Sequence, residues 1–122
     1  MKICLSSTGK NLDATVDQRF GRCQYFLIVD TETMKVKAVP NESTMSSGGA
    51  GVQAAQIVVK ERVGSVITGN IGPNAFQILQ AAGIKVFTGA EGTVQDVLER
   101  YKNGTLQETE VANVESHSGI RR

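Results

Sequence analysis

The sequence predicts an α/β fold in which a mixed five-stranded sheet is flanked by three helices. Three short apolar runs typical of strands come first, at Lys2–Ser6, Tyr25–Val29 and Met34–Val39. From residue 51 the apolar period becomes helical, and two further short strands, Val66–Thr68 and Lys85–Thr88, alternate with the helices. Strand–helix–strand units require parallel pairing and a hairpin requires antiparallel pairing, so both kinds are expected in one sheet.

The three N-terminal strands differ in their expected burial. Lys2–Ser6 is expected to be buried, and Tyr25–Val29 is a continuous apolar run. In the third strand Lys35 and Lys37 alternate with apolar residues, which is typical of an edge strand protected against unwanted pairing. Pro40 ends this strand.

Each helix is predicted from one apolar face and from its ends. Pro73 lies in the first turn of the second helix, where its missing N–H group costs nothing, and Gly83 ends that helix. Thr93, with Asp96 three residues later, is similar to a capping box for the third helix. The expected buried faces are Val52, Ala55, Val59 and Val63, then Ala75, Ile78, Leu79 and Ala82, then Val94, Val97, Leu98 and Tyr101.

Length, charge and cysteine content limit the class of protein. The 122 residues are enough for one domain with a single core. A formal net charge of +1 gives no basic surface for nucleic acids or anionic membranes, and no apolar run reaches membrane-spanning length. Cys4 and Cys23 suggest no disulfide framework, so a reduced, cytoplasmic protein is expected. We expect one domain at residues 1–104 and a polar, flexible tail at residues 105–122.

Four small, polar, glycine-rich segments are expected at one edge of the sheet. In sheets of this kind ligands bind outside the carboxyl ends of the parallel strands, and helix N-termini at that edge favour anions. An anion-binding cleft is therefore expected, although ordinary turns use the same residue types. The four segments are Ser6–Gly9, Asn41–Gly51, Gly69–Gly72 and Gly89–Gly92.

The segment Asp17–Cys23 contains an acid, two arginines, an aromatic residue, a glycine and a thiol. Arginine offers a planar set of donors to anions, and thiolate is a soft metal ligand. The charge of Arg22 beside Cys23 would favour the thiolate. These features indicate a loop that contacts an anionic or metal-containing ligand. The alternative is that Phe20 anchors the loop and its charged neighbours are simply solvated.

An enzyme is not expected from the remaining chemistry. Asp13, Asp17 and Asp30 are spread over two loops, so no carboxylate cluster for a two-metal nuclease is visible. The single histidine, His117, lies in the tail, where it is a poor catalytic base. Cys4 lies in an apolar strand and is expected to be a core residue. Cys23 and His117 are the candidate metal ligands.

Several motifs together resemble the dinitrogenase iron–molybdenum cofactor biosynthesis domain family, which includes NifX-type proteins and the C-terminal domain of NifB-type proteins. The resemblance spans roughly residues 2–104. It is carried by Val16–Phe26, Asn41, Gly48–Gly51, Ile67–Ala75 and Ala82–Val86. It implies a ribonuclease H-like fold with strand order 3-2-1-4-5 and an antiparallel second strand. It also implies binding or carrying of a metal–sulfur cluster that contains iron, molybdenum or both, without catalysis.

The resemblance, together with the glycine loops, gives a set of expected ligand-binding residues. The set is Asp17, Arg19, Arg22, Cys23, Asn41, Gly48, Gly49, Gly51, Gly69, Asn70 and Gly72. The partners it implies are a cluster precursor and a protein that donates or accepts the cluster, with no nucleic acid and no membrane. Two functions remain open at this point. The first is a cluster carrier or scaffold, and the second is a regulatory module that binds phosphate or a nucleotide through the same loops.

Overall fold

The structure, a computed structural model, describes residues 1–42, 49–110 and 112. Strands and helices follow one another in the predicted order. They are β1 (Lys2–Ser7), β2 (Tyr25–Asp30), β3 (Val36–Pro40), α1 (Ala50–Lys60), β4 (Ser65–Ile67), α2 (Pro73–Ala81), β5 (Lys85–Phe87) and α3 (Val94–Lys102). No helix within these described ranges is long and apolar enough to cross a membrane.

The five strands form one mixed sheet with the order β3-β2-β1-β4-β5. β2 pairs antiparallel with both β1 and β3, whereas β1 pairs parallel with β4 and β4 with β5. Cys4 of β1 lies opposite Ile28 on one side and Val66 on the other. The predicted mixed sheet, its order and its antiparallel second strand are therefore confirmed.

The turn between β2 and β3 is longer than the sequence pattern predicts. The carboxylate of Asp30 accepts the backbone N–H groups of Glu32 and Thr33 at 2.9 and 3.3 Å. Met34 then takes a positive φ of 61° and donates its N–H to the carbonyl of Asp30. Because this left-handed residue cannot belong to a strand, β3 begins at Val36 and not at Met34.

Two hydrophobic clusters lie on opposite faces of the sheet, because alternate residues of each strand point to opposite sides. One cluster contains Cys4 and Phe26 together with the buried residues of α1 and α2. The other contains Ile3 and Leu5 together with the buried residues of α3. The domain therefore has three layers, and the two helices that border the candidate site share one face.

In α3 three of the four predicted residues are buried, Val94, Val97 and Leu98, while Tyr101 is half-buried. The buried faces of α1 and α2 differ more from the prediction. In α1 the buried residues are Ala50, Ala54, Ala55 and Val58, while Val52 and Val59 are only half-buried. In α2 they are Ala75, Phe76 and Leu79, while Ile78 is half-buried and Ala82 is exposed. Alanines on the buried face of α1 let this helix approach its neighbours closely. The prediction followed the spacing of the larger side chains and therefore did not identify Ala50 and Ala54 as buried.

The chain continues along β5 after α3. Thr109 donates its backbone N–H to the carbonyl of Val86 at 2.7 Å, and Phe87 forms an antiparallel bridge with Glu108. Leu106 packs against the α3 side of the core. The sequence predicts a flexible tail from residue 105, whereas Glu108 and Thr109 contact β5 and Thr105 bonds to the Arg100 carbonyl of α3. Residues 111 and 113–122 lie outside the described part of the chain, and their flexibility stays a prediction.

Candidate functional site

A cleft of about 380 Å³ opens on the α1–α2 face of the sheet, beyond the carboxyl ends of β1 and β4. It is lined by residues 19–21 of the loop after β1, residues 49–52 at the start of α1, and residues 70–75 at the start of α2. We refer to this feature as the cleft. The parallel pairing of β1 with β4 brings these segments together, as expected for a ligand site in an α/β sheet.

Two helix N-termini border the cleft, and neither is capped by a side chain. Gly49 is the N-cap of α1 with a positive φ of 71°, and Gly72 is the N-cap of α2. The first turn of each helix contains no acidic residue. In contrast, the hydroxyl of Thr93 caps α3 by accepting the N–H of Asp96 at 3.1 Å. Within the described part of the chain, no carboxylate or hydroxyl caps either helix end at the cleft, and the partial positive charge of these ends favours an anionic ligand.

Arg19 adds a full positive charge to this edge of the cleft. The buried carboxylate of Asp17 accepts the backbone N–H of Arg19 at 2.9 Å and its Nε atom at 3.5 Å. Asp17 is itself held by Ser6, whose hydroxyl donates to the Asp17 carbonyl at 2.7 Å. The Arg19 side chain is 67% exposed. Asp17 thus orients an arginine that reaches solvent beside the cleft, and it does not contact the cleft itself.

The loop after β1 pairs with the segment after β4. Arg19 and Asn70 form a parallel bridge, in which Phe20 donates its N–H to the Asn70 carbonyl at 3.2 Å. Asn70 in turn donates its N–H to the Gln18 carbonyl at 2.8 Å. A Cβ atom at Gly69 would lie 2.7 Å from the Cα of Gln18, so only glycine allows this approach. The pairing fixes Arg19 and Asn70 on one wall of the cleft.

Phe20 anchors this loop in the core. Its ring is 2% exposed and its centroid lies 5.3 Å from that of Phe26. Phe20 therefore anchors the loop, as one of the two interpretations of this segment expects. Its charged neighbour Arg19 lines the cleft.

Cys23 and Asn41 lie behind the loop and do not line the cleft. The Asn41 amide donates to the Cys23 carbonyl at 2.9 Å and lies 3.7 Å from the Cys23 sulfur, which donates to the Phe20 carbonyl at 3.4 Å. The pKa of the Cys23 thiol is raised to about 12, chiefly by burial and then by the Asp17 carboxylate, against lowering contributions from the Ser7 backbone N–H and the Asn41 amide.

The expectation that positive charge at Arg22 favours a thiolate is wrong for this geometry. Cys23 is completely buried, and desolvation opposes its ionisation. Cys4 is also buried, with a pKa raised well above its usual value chiefly by desolvation, in keeping with its predicted place in the core. A metal–thiolate bond at Cys23 would require this segment to move, and that role stays a prediction.

The predicted site residues differ in their position relative to the cleft. Arg19, Gly49, Gly51, Asn70 and Gly72 line the cleft. Asp17, Asn41 and Gly69 support the loops around it, Cys23 is buried behind it, and the exposed Arg22 does not contribute to its lining. Gly48 and His117 lie outside the described residues. Within those residues, no group of three or more histidine, cysteine, aspartate or glutamate side chains could hold a metal ion.

Sequence reasoning missed several residues of the cleft and its support. Asn74 and Ala75 line the cleft from the start of α2, whereas Ile71, which also lines it, lies in the predicted Gly69–Gly72 segment. Gln18 pairs with Asn70 behind the cleft. The position of Asn74 in the first turn of a predicted helix was a usable signal. No local pattern in the sequence indicates a role for Gln18, because its partners lie about fifty and seventy residues away. They are Asn70 and the Ala90 carbonyl, which accepts the Gln18 side-chain amide at 2.7 Å.

The fold and the cleft together define a small α/β domain with an open cleft at the carboxyl ends of its parallel strands. The chain belongs to the dinitrogenase iron–molybdenum cofactor family, which it matches over residues 1–104. The family resemblance found in the motifs is thereby confirmed.

Solved structures of related proteins share this fold. The apo form of the orange protein from Desulfovibrio gigas is 43% identical, with a TM-score of 0.89 over 92% of this chain and 95% of that chain. A putative NifB protein from Thermotoga is 39% identical, with a TM-score of 0.76 over 88% and 91% of the two chains. An uncharacterised protein of Methanocaldococcus jannaschii is 27% identical over 113 residues, which are 90% of this chain and 92% of that protein.

Proposed function

We propose that this protein is a non-catalytic carrier or scaffold that binds an anionic metal–sulfur cluster, or a precursor of one, in the cleft. The observation that carries the proposal is the charge of the lining. Among the described residues of the cleft, Arg19 is the single charged side chain and no carboxylate is present. Two helix N-termini with glycine caps, at Gly49 and Gly72, add partial positive charge to the same space.

The other lining residues suit a ligand with a soft, weakly hydrated surface. Phe20, Ile71 and Ala75 contribute apolar side chains, while glycines let the backbone approach closely. Sulfide-rich clusters combine net negative charge with polarisable sulfur atoms, so they match a lining of this composition. Family membership supports a role in the biosynthesis or binding of the iron–molybdenum cofactor. The related orange protein has a structure in its apo form, which is in keeping with a protein that takes up a ligand.

The proposed activity is binding and release, without chemical conversion. None of the described lining side chains can act as a nucleophile or a general base. Binding through Arg19 and backbone N–H groups also permits release, which a full set of metal–ligand bonds would hinder. The proposal extends to a ribonuclease H-like fold, to an iron- or molybdenum-containing cargo, to a protein that donates or receives it, and to a cytoplasmic location.

An anaerobic titration with tetrathiomolybdate tests this function. Wild-type protein is expected to bind the dianion with a change in its visible absorbance and with a defined stoichiometry. The matched variants are Arg19→Gln, which removes the charge at the cleft, and Lys10→Gln, which removes a cation that lies over the Tyr25 ring 5.7 Å from its centroid. Weaker binding by Arg19→Gln, with little change in Lys10→Gln, is the expected pattern.

The alternative function is that of a regulatory module that binds phosphate or a nucleotide through the same loops. Calorimetry with ATP, GTP and inorganic phosphate runs in parallel with the metal titration. Tight nucleotide binding, together with no binding of molybdenum, iron or copper species, would exclude the carrier function. The as-purified visible spectrum and metal content provide an independent check, because a carrier that retains its cargo is coloured and contains stoichiometric metal.

A further inference from the structure

We propose that residues 105–110, here called the C-terminal segment, hold one wall of the cleft in its ligand-binding position and are themselves held more firmly when the cleft is occupied. The second half of this inference rests on the proposed binding function. The C-terminal segment follows the family match, which ends at residue 104. Its contacts are therefore features of this chain beyond the matched domain.

Thr109 is the residue through which the C-terminal segment holds β5. Its backbone N–H donates to the Val86 carbonyl at 2.7 Å. Its hydroxyl accepts the backbone N–H of Thr88 at 3.0 Å and shares a hydrogen bond of 2.7 Å with the Thr88 hydroxyl. Three hydrogen bonds thus fix the exit of a strand that is only three residues long. β5 is also the edge of the sheet, so the C-terminal segment supplies contacts that a sixth strand would otherwise provide.

The exit of β5 is in turn bonded to the wall of the cleft. Gly89, which follows Thr88 and has a positive φ of 79°, donates its N–H to the Gly69 carbonyl at 2.8 Å. The next residue, Ala90, accepts the side-chain amide of Gln18 at 2.7 Å. Gln18 and Gly69 are the residues that flank the Arg19–Asn70 pairing. Hydrogen bonds, together with the peptide bonds between Thr88 and Gly89 and between Gly69 and Asn70, therefore connect Thr109 with Asn70 in the cleft.

This connection makes Thr109 a positioning residue for the cleft. Loss of its hydroxyl leaves the Thr88 N–H without its acceptor and loosens the Gly89 turn that supports Gly69. Since coupling between two sites is reciprocal, a ligand that fixes Asn70 also stabilises the C-terminal segment. Occupancy of the cleft is thereby transmitted to the C-terminal segment, at the opposite side of β5 from β4, where a donor or acceptor protein can detect it.

Three full-length variants test the connection. Thr109→Val removes the Thr109 hydroxyl, whereas Thr109→Ser keeps a hydroxyl at this position. The control, Thr105→Val, removes a different hydroxyl of the C-terminal segment, which donates to the Arg100 carbonyl of α3 at 3.1 Å. Amide hydrogen exchange, followed by NMR, measures the local opening. We expect faster exchange at Gly89 and Asn70 in Thr109→Val, and wild-type rates at both amides in Thr109→Ser and Thr105→Val. Unchanged exchange at Gly89 and Asn70 in Thr109→Val would overturn the proposal.

Tetrathiomolybdate affinity gives the second readout. We expect Thr109→Val to bind about three- to tenfold more weakly, the range that corresponds to loss of one hydrogen bond. Saturating tetrathiomolybdate should slow exchange at Thr109 in the wild-type protein. If the wild-type protein does not bind tetrathiomolybdate, the proposed cargo is wrong, while the exchange rates of the ligand-free variants still decide whether the C-terminal segment supports the cleft. Equal affinities of wild-type protein and Thr109→Val would refute the coupling.

Discussion

Gly21 and Gly51 touch where the loop after β1 crosses the first turn of α1. A Cβ atom at Gly21 would lie 3.1 Å from both the Cα and the backbone nitrogen of Gly51. Contacts this short between a Cβ and backbone atoms are rare, so residue 21 can carry no side chain unless the loop or the helix moves. Both residues line the cleft, and their contact sets the distance between two of its sides.

Gly51→Ala is expected to keep or raise stability while it weakens ligand binding. A Cβ at Gly51 would make an ordinary contact, 3.5 Å from the Cβ of Ala75. Alanine is favoured over glycine in a helix, so the free energy of unfolding should rise by up to about 1 kcal/mol. The added methyl group lies at the cleft between α1 and α2 and should weaken tetrathiomolybdate binding. Urea denaturation and the absorbance titration measure the two effects separately.

Gly21→Ala is the matched control for this variant. Its methyl group would meet the backbone atoms of Gly51. The free energy of unfolding should therefore fall by about 1–3 kcal/mol, as at other overpacked positions. Opposite signs of the stability change in the two variants would support the geometry. A similar loss in both would show that the start of α1 is packed differently.

Arg19→Gln is expected to weaken anion binding without a large loss of stability. The ion pair with Asp17 is long, with Nε and Oδ1 3.5 Å apart, and the arginine is mostly exposed, so the free energy of unfolding should change by less than about 1 kcal/mol. A hydrogen bond to a charged group contributes more, so affinity for tetrathiomolybdate should fall about tenfold or more. Arg22→Gln provides the comparison. A larger loss of binding in Arg22→Gln would place the ligand outside the cleft.

The sequence was sufficient for the architecture because each element has a local signal. The change of apolar period at residue 51 separates the hairpin from the helical units, and the Thr93 cap is readable from two residues. Right-handed crossovers then restrict the order of the strands. The convergence of Gly49, Gly51 and Gly72 on one cleft follows from that order, which explains why these site residues could be predicted.

The sequence was insufficient where a residue's environment depends on distant partners. Arg22 beside Cys23 suggested a thiolate, yet burial of the sulfur has the larger effect, and burial is decided by packing of the whole loop. Gln18 reveals its role only through Asn70 and Ala90. The contacts of Thr109 with β5 likewise arise between a polar segment and an edge strand, and no local pattern marks them.

Phe20→Ala is expected to destabilise the domain strongly. The ring is almost completely buried and packs against Phe26, so the free energy of unfolding should fall by about 3–5 kcal/mol. Phe20→Leu keeps most of the buried volume and should lose clearly less. Urea denaturation followed by circular dichroism measures both variants. If Phe20→Ala is as stable as the wild-type protein, the ring does not anchor the loop in solution.

The pH dependence of stability should reveal the neutral, buried state of Cys23. Its pKa is raised to about 12 in the folded protein, so the unfolded chain loses the thiol proton first as the pH rises. The contribution is fully present below about pH 8.5, the usual pKa of an exposed thiol, and is lost towards pH 12. Between these two pH values the Cys23 thiol is ionised in the unfolded chain and neutral in the folded protein. The free energy of unfolding therefore falls by up to about 1.4 kcal/mol per pH unit.

Cys23→Ala should therefore show a shallower loss of stability between pH 8 and pH 10.5 than the wild-type protein. All other ionisable groups are common to both proteins, so the difference between the two slopes isolates Cys23. Urea denaturation at several pH values measures the slopes, and the absolute offset caused by the lost sulfur does not affect the comparison. Native protein should also react slowly with a thiol reagent at pH 8, because both sulfurs are buried. Equal slopes, or rapid reaction of a thiol that is absent from Cys23→Ala, would contradict a neutral, inaccessible Cys23 and would favour it as a ligand for the cluster.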